Sequence, residues 1–247
     1  MQFDLWLAAG VFLSYIIKGM CGFANTLVFS SIMAFHVDNV DISPLDLVIG
    51  IPANLCQFWR NRRNIRKKEA LLLASLVIAG IIPGALLLKS GDTHGIKLLF
   101  GGVVVALGLE MLVGEIRGCA PKKPHPAALL AVGIAAGLMV GLFGIGALLA
   151  VYVGRTAANS AEFKGTLAVV FLVDNATRLT LYTATGILNA QVLRLAVLCL
   201  PLMLAGLLLG MWLARYVNEH RAKLLVDGFL VLSGVSLLAT NLARLIR

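Results

Sequence analysis

The chain has 247 residues, of which 60% are apolar and 13% are charged, and its mean hydropathy is +0.93. Soluble domains carry about 25% charged residues, so this composition excludes an ordinary soluble enzyme and predicts an integral membrane protein. The net charge of +9 does not indicate a nucleic-acid partner, because a cluster of arginines and lysines fills residues 60–68 between two apolar runs, as the positive-inside rule describes.

Eight apolar runs of helical length follow one another along the chain. They cover residues 3–35, 43–59, 70–88, 96–113, 127–153, 165–185, 192–213 and 224–242. Runs of this length and composition predict an all-α membrane protein. A loop rich in proline and lysine separates the fourth run from the fifth, and it predicts a first repeat over 1–118, a linker over 119–126 and a second repeat over 127–247.

The two halves contain similar residues in the same order. The sequence GMCGF at 19–23 precedes GLFGI at 141–145 by 122 residues, and Asn54 precedes Asn175 by 121 residues. Glycine and leucine pairs further along recur at offsets of 122 to 126 residues. Several matches at nearly one offset predict an internal duplication.

The charges of the loops predict that the two repeats are inverted. The loop at 36–43 is acidic and the loop at 60–69 is basic, whereas their counterparts at 154–164 and 186–191 are basic and uncharged. Corresponding loops would therefore face opposite sides of the membrane, as in inverted-repeat transporters. With the amino terminus outside, four loops are expected on the cytoplasmic side: 60–69, 114–126, 154–164 and 214–223.

The opening run of each half predicts a broken helix or a helical hairpin. Residues 3–35 and 127–153 are longer than one crossing requires and shorter than two, and each is interrupted by closely spaced glycines. With eight segments, such hairpins would give up to ten crossings. A chain break inside a bilayer needs partners for its free backbone groups, and a helix that starts there presents N–H groups that suit an anion.

These breaks supply the first group of candidate substrate-binding residues. Because the hairpins of inverted repeats enter from opposite faces, their tips are expected to meet near the midplane around one small cavity. The alternative is that the glycines serve only close helix packing. The candidates at the two tips are Gly22, Phe23, Asn25, Thr26, Gly144, Gly146 and Ala147.

Polar side chains inside the apolar runs supply the second group. Asn54 and Asn175 hold equivalent places in the two repeats, and both could donate amide hydrogen bonds to an oxyanion. Gln57 and Arg178 follow them by three residues and share their helical faces, and the planar guanidinium of Arg178 suits oxyanions. The alternatives are that the asparagines bridge helices and that Asp174, one turn before Arg178, neutralises it in a structural ion pair.

Other ionisable residues give weaker predictions. Lys18 adjoins the first break and could add positive charge to the cavity or extend to a surface. Glu110, Asp46 and Tyr182 are candidate proton carriers that could equally lie near the interface, so coupling to a proton stays open. The sequence has no nucleophile elbow and no metal-ligand spacing, and we expect no catalytic residue, no metal and no cofactor.

The glycine break of the second half resembles the TauE/SafE family of sulfite exporters and related organic-anion permeases. The similarity includes GLMVGLFGIG at 137–146, KGT at 164–166 and YTATGI at 182–187, and it extends over essentially the whole chain. After the break this chain has ALLA at 147–150, where the family usually has more glycine and a proline. The resemblance implies a permease of the bacterial inner membrane that exports sulfite or small sulfonate and carboxylate anions.

The residues and the resemblance together predict a secondary transporter for a small anion, with alternating access around a site between the two repeats. The expected partners are the anion and the lipid bilayer, with no nucleic acid, and the oligomeric state is not indicated. An anion channel would use the same lining without alternating states. A membrane assembly protein is a further alternative.

Overall fold

A computed structural model describes residues 3–33, 39–89 and 146–218 continuously, together with scattered positions within 102–117, 133–140 and 220–239. The described residues contain helices and no strand, which confirms the predicted all-α class. The helices are α1 (Leu5–Cys21), α2 (Asn25–Met33), α3 (Asn39–Asn61), α4 (Lys67–Lys89), α5 (Ala147–Thr156), α6 (Ser160–Ala184) and α7 (Ala190–Leu213), with a 3-10 turn at Arg62–Asn64. The predicted linker at 119–126 lies outside the described residues.

Polar caps fix the start of three of these helices. The side chains of Asp4, Asn159 and Asn189 each accept a hydrogen bond from the backbone amide three residues later, at 2.7 to 2.9 Å. Such bonds satisfy amides that a helix leaves free at its first turn. These caps therefore determine where α1, α6 and α7 begin.

The first apolar run is broken, as the glycine pair predicts. Helix α1 ends at Cys21, where the Gly22 amide donates to the Lys18 carbonyl at 2.7 Å. Gly22 has a φ of +94° and Ala24 has a φ of +71°, so the chain turns through left-handed backbone before α2 begins at Asn25. The break therefore lies between two helices that share a single apolar run.

The second half also has a helix that starts inside its opening run. Helix α5 begins at Ala147, directly after Gly146, and the preceding residues 141–145, which include Gly144, lie outside the described part of the chain. Helix α5 has 10 residues, from Ala147 to Thr156, so it is about 15 Å long. That length is about half the 30 Å thickness of a hydrocarbon core, so α5 could not cross it alone.

Close backbone contacts at glycines join the two halves in a reciprocal way. Gly19 of α1 lies against Gly210 of α7, and a Cβ on Gly206 would meet the backbone of the facing α1. Likewise, Gly80 of α4 lies against the backbone of Gly137 in the second half. Glycine lets helices approach this closely in lipid, which accounts for the tight contacts at these positions.

Helices α3 and α6 pack against each other in opposite directions. The hydroxyl groups of Ser43, near the start of α3, and Tyr182, near the end of α6, lie 3.0 Å apart. At the other end of the pair, Gly165 of α6 lies against the backbone of Asn61 in α3. The two helices are therefore antiparallel.

Added bulk at the interface between α1 and α7 should destabilise the fold. Replacing Gly206 by valine would push side-chain atoms into the backbone of α1, and we expect a loss of about 1–3 kcal/mol, the usual cost of overpacking. The matched control introduces the same valine one position earlier, as Ala205→Val, because Ala205 is exposed. Thermal unfolding in detergent gives the midpoint temperature of each variant. Equal midpoints for the two variants would show that Gly206 is not in close contact with α1.

Two of the loops predicted to share the cytoplasmic side are joined by one arginine. The Arg66 guanidinium forms ion pairs with Glu69 at 2.8 Å and with Glu162 at 3.0 Å, and it donates to the Thr156 carbonyl. This arginine therefore ties the loop that follows α3 to the connection between α5 and α6. The loops at 60–69 and 154–164 lie on the same face of the protein.

A second contact joins the other two predicted cytoplasmic loops. His220 Nδ1 lies 2.9 Å from the Glu115 carboxylate. Residues 115 and 220 belong to the loops predicted at 114–126 and 214–223. These two loops are therefore neighbours in the structure.

The outer surface of the bundle is apolar. Among the described helices, α7 alone is both long enough and apolar enough to count as a membrane span by length and composition. Its exposed side chains include Val197, Leu208 and Trp212. Helices α3 and α6 carry acidic and basic residues that lower their mean hydropathy, and many of those residues are buried inside the bundle.

Aromatic side chains mark one end of the bundle. Trp59 is exposed near the end of α3, and the Arg62 guanidinium lies 4.8 Å from its ring centroid. At the end of α7, the rings of Trp212 and Tyr216 lie 4.9 Å apart. Because Arg60 of α3 contacts the Met211 sulfur of α7, these two aromatic groups lie at the same end.

Candidate functional site

A small cavity lies where the α1–α2 break and the start of α5 meet α3 and α6. Its volume is about 30 Å³, counted as the space open to the centres of water molecules. One water needs about 10–15 Å³ on that measure, so the cavity has room for only a few atoms. Seven of the predicted site residues line it: Phe23, Asn25, Thr26, Asn54, Gly146, Asn175 and Arg178.

Arg178 has one guanidinium nitrogen to spare. Its Nε and one terminal nitrogen donate to the two Asp174 oxygens at 2.9 and 3.0 Å, so the structural ion pair considered above is present. The other terminal nitrogen is buried and has no hydrogen-bond partner among the described residues. Because buried donors are almost always paired, a free guanidinium N–H beside a cavity favours an acceptor that arrives from outside the protein.

The two equivalent asparagines also have unpaired atoms. Asn175 Nδ2 is buried without a hydrogen-bond partner in the part of the chain that the structure describes, and it lies over Gly50 of α3, where the missing side chain leaves space. Within that same part, Asn54 Oδ1 is likewise buried without a partner. An amide can exchange its oxygen and nitrogen by rotating about one bond, so Asn54 can present either an acceptor or a donor to the cavity.

A chain of hydrogen bonds links the break to α3. The Lys18 ammonium donates to Asn25 Oδ1 at 2.8 Å, and Asn25 Nδ2 donates to Asp46 Oδ1 at 2.9 Å. The Thr26 hydroxyl donates to the other Asp46 oxygen, and the Tyr15 hydroxyl lies 3.5 Å from Oδ1. The first two residues of α2 are thus held on the Asp46 carboxylate.

Lys18 is almost completely buried, with 2% of its surface exposed. Its ammonium group lies 5.5 Å from the ring centroid of Phe171 and 6.0 Å from that of Tyr15. The Phe171 ring in turn packs against Gly146, where any Cβ would collide with it. Aromatic faces stabilise a desolvated cation, so these contacts hold a positive charge beside the cavity.

Four predicted site residues do not line the cavity or cannot be placed. Gln57 donates from Nε2 to the Lys18 carbonyl at 2.8 Å, the same carbonyl that accepts from the Gly22 amide. Gly22 and Gln57 therefore hold the carboxyl end of α1 at the break. Ala147 is the first residue of α5, and Gly144 lies outside the described residues. Their roles in substrate binding stay predictions.

Six further residues line the cavity and were not among the predicted binding residues. They are Lys18, Ala24, Asp46, Gly50, Phe171 and Asp174. The three charged ones could have been included from their positions within apolar runs, where charge is costly. A glycine, an alanine or a phenylalanine in such a run carries no comparable signal.

A larger opening lies on the side of the break that faces the loops predicted to be cytoplasmic. This vestibule has a volume of about 410 Å³, and its lining includes Cys21, Asn64, Asn159 and Lys164. Cys21 borders the vestibule, whereas Phe23, two residues later, borders the cavity. The Phe23 ring packs edge-on against that of Phe163, with the two ring centroids 5.9 Å apart. The chain at Gly22 and Phe23 therefore separates the vestibule from the cavity.

The family model of the sulfite exporter TauE/SafE matches residues 6–237. The chain belongs to the TauE/SafE family. Membership means that this is a multi-pass membrane transporter, in general terms an exporter of sulfite or another small anion. No curated protein and no solved structure matches the chain. Across the described ranges, no three His, Cys, Asp or Glu side chains are grouped closely enough to hold a metal ion.

Proposed function

We propose that this TauE/SafE protein is a secondary transporter that binds one small oxyanion in the cavity and releases it by alternating access. The substrate class is sulfite or a small organosulfonate or carboxylate, and the membrane is the bacterial inner membrane. We propose that Asn175 and Arg178 bind the anion, with Asn54, Asn25, Thr26 and the two helix starts around it.

The observation that carries this proposal is the pair of unpaired donors. Asn175 Nδ2 and one terminal nitrogen of Arg178 are buried and lack partners within the described ranges, and the two residues lie one turn apart on α6 and line the same cavity. Leaving such donors unpaired costs free energy, about 1–3 kcal/mol each and more for a charged group. An oxyanion that enters the cavity would recover that free energy and replace part of its own hydration.

The helix starts give further support. Gly146, which precedes the first residue of α5, lines the cavity and has no side chain to cap that helix. Asn25 and Thr26, the first residues of α2, line the cavity from the other repeat. A helix amino terminus carries roughly half a positive charge, so two of them at one cavity favour an anion.

The packing of the repeats supports the inverted arrangement that alternating access needs. Asn54 and Asn175 each occupy the sixteenth position of their helices, and those helices, α3 and α6, are antiparallel. The contacts of α1 with α7 are matched by those of α4 with the helical residues near 137. Equivalent helices that run in opposite directions are expected when the axis relating the repeats lies in the membrane plane.

Export of an anion does not need ATP. The inside of a bacterial cell is electrically negative, so moving one negative charge outward across 100 mV releases about 2.3 kcal/mol. A dianion would release about twice as much. The membrane potential is therefore a sufficient driving force for a carrier of this kind.

Counterflow of sulfite in proteoliposomes tests this function. Vesicles loaded with unlabelled sulfite at pH 8.5 and diluted into a trace of labelled sulfite should accumulate label transiently above equilibrium, because a carrier exchanges one anion for another. Protein-free vesicles are the control for passive leakage. Label that enters without an overshoot would indicate the channel alternative, and entry no faster than in the control would overturn transport of sulfite.

A further inference from the structure

The formal charges of the side chains around the cavity sum to zero. Two basic residues, Lys18 and Arg178, and two acidic residues, Asp46 and Asp174, line it, and each of the four residues is at most 4% exposed. An anion that binds there adds an excess negative charge in a place with little water. Such a charge is costly unless a counter-charge enters with it.

The two carboxylates differ in how their charge is compensated. Asp174 holds Arg178 by two hydrogen bonds, which are the contacts of a paired carboxylate. Asp46 receives hydrogen bonds from two neutral groups, the Asn25 amide and the Thr26 hydroxyl. The hydrogen bonds connect it to Lys18 only indirectly, through Asn25. Asp46 is therefore the carboxylate whose charge is less directly neutralised.

Other titratable groups around Asp46 come from each helix packed against it. They are Tyr15 and Lys18 on α1 and Asp174, Arg178 and Tyr182 on α6, while α2 contributes the neutral Asn25 and Thr26. Cys199 on α7 lies near Tyr15. The Tyr182 hydroxyl contacts Ser43, and the lysine and arginine already have polar partners. Of the two cavity carboxylates, Asp46 is the one to which no cation among the described residues is hydrogen-bonded.

We propose that Asp46 takes up one proton when the anion binds, so that the transporter moves one proton with each anion. This inference rests on the proposed function and names the coupling ion and its site. The proton comes from the solution on the side where the anion enters, binds to an Asp46 oxygen, and leaves to solution on the side where the anion departs. A sulfite dianion would then cross with a net charge of −1 instead of −2.

The same residue gives the coupling a structural route. Asp46 holds Asn25 and Thr26, the first residues after the break, so its protonation changes the hydrogen bonds that fix the start of α2 against α3. A neutral carboxylic acid is a weaker acceptor than a carboxylate. Loading of the cavity would thereby loosen the contact between α2 and the neighbouring transmembrane helix.

The test is the number of protons taken up for each sulfite bound at pH 8.5. Calorimetric titration of the detergent-solubilised protein in two buffers with different ionisation heats gives this number directly. We expect about one proton for the wild type and none for Asp46→Asn. Asp4→Asn is the matched control, since it removes an exposed carboxylate at a helix cap that asparagine also fills, and it should keep the value of one.

The outcomes separate the two proposals. Sulfite counterflow with no proton uptake in the wild type would overturn the coupling and leave the transport function standing, whereas absent counterflow would overturn the function itself. Uptake that persists in Asp46→Asn would show that another group binds the proton. If that variant does not fold, Thr26→Val keeps the carboxylate and removes one of its donors, and an unchanged pH range of proton uptake would refute the assignment to Asp46.

Discussion

Replacing Arg178 by glutamine should abolish sulfite counterflow and weaken sulfite binding by about 10- to 100-fold. The variant removes the unpaired guanidinium nitrogen and one of the two positive charges at the cavity. A hydrogen bond between charged groups is worth about 1.5–3 kcal/mol, which corresponds to that range. Binding is measured by calorimetry and transport by the counterflow described above.

Loss of folding must be separated from loss of the site. Arg178→Gln leaves Asp174 as a buried carboxylate without its partner, and breaking a buried pair costs about 3–5 kcal/mol. The double variant Asp174→Asn, Arg178→Gln removes both charges and should fold, yet it should still fail to transport sulfite. Arg194→Gln is the charge control, because Arg194 is exposed on α7. Normal counterflow in the double variant would remove Arg178 from the proposed site.

Replacing Gly22 by alanine should lower sulfite counterflow at least tenfold, although the added group is a single methyl. Gly22 has a φ of +94°, which costs an alanine about 1–2 kcal/mol, and the new Cβ would lie 2.7 Å from Cγ of Lys164. The chain at Gly22 separates the vestibule from the cavity, so this strain falls on the route that the proposed function gives to the anion.

Gly186 provides the matched control for Gly22. It also has a positive φ, +73°, but a Cβ there would meet no described atom within 4 Å. Gly186→Ala should therefore show a similar loss in the thermal midpoint while transport continues at nearly the wild-type rate. Equal counterflow in the two alanine variants would mean that the break is not part of the transport route.

The break itself could be predicted from the sequence because glycine is the residue that tolerates left-handed backbone. In the structure α2 begins at Asn25 and α5 at Ala147, inside the two opening runs that the sequence predicts to be broken. The positive φ of Ala24 could not be predicted, since no property of alanine favours that conformation. It is imposed by the helices on either side.

The network around Asp46 was harder to predict. Asp46 stands close to the start of an apolar run, where a carboxylate usually lies in the interface, and its burial depends on α2 folding back against α3. Helical spacing correctly indicates that Gln57 shares a face with Asn54 but does not indicate its partner, the Lys18 carbonyl. The burial of Asp46 and the partner of Gln57 both depend on contacts between segments that are distant in the sequence. Neither hydrophobic periodicity nor composition indicates such contacts.

The aromatic residues at the end of α3 and α7 fix how deep the cavity lies. Rings such as Trp59 normally rest at the level of the lipid headgroups, and Gly50 and Asn54 precede Trp59 by nine and five residues on one helix. At 1.5 Å per residue the cavity is about 8–14 Å below that level, roughly a quarter to a half of the hydrocarbon thickness. An ion bound there would sense a matching fraction of the transmembrane voltage, and we expect its occupancy to depend on voltage even when nothing is released on the far side.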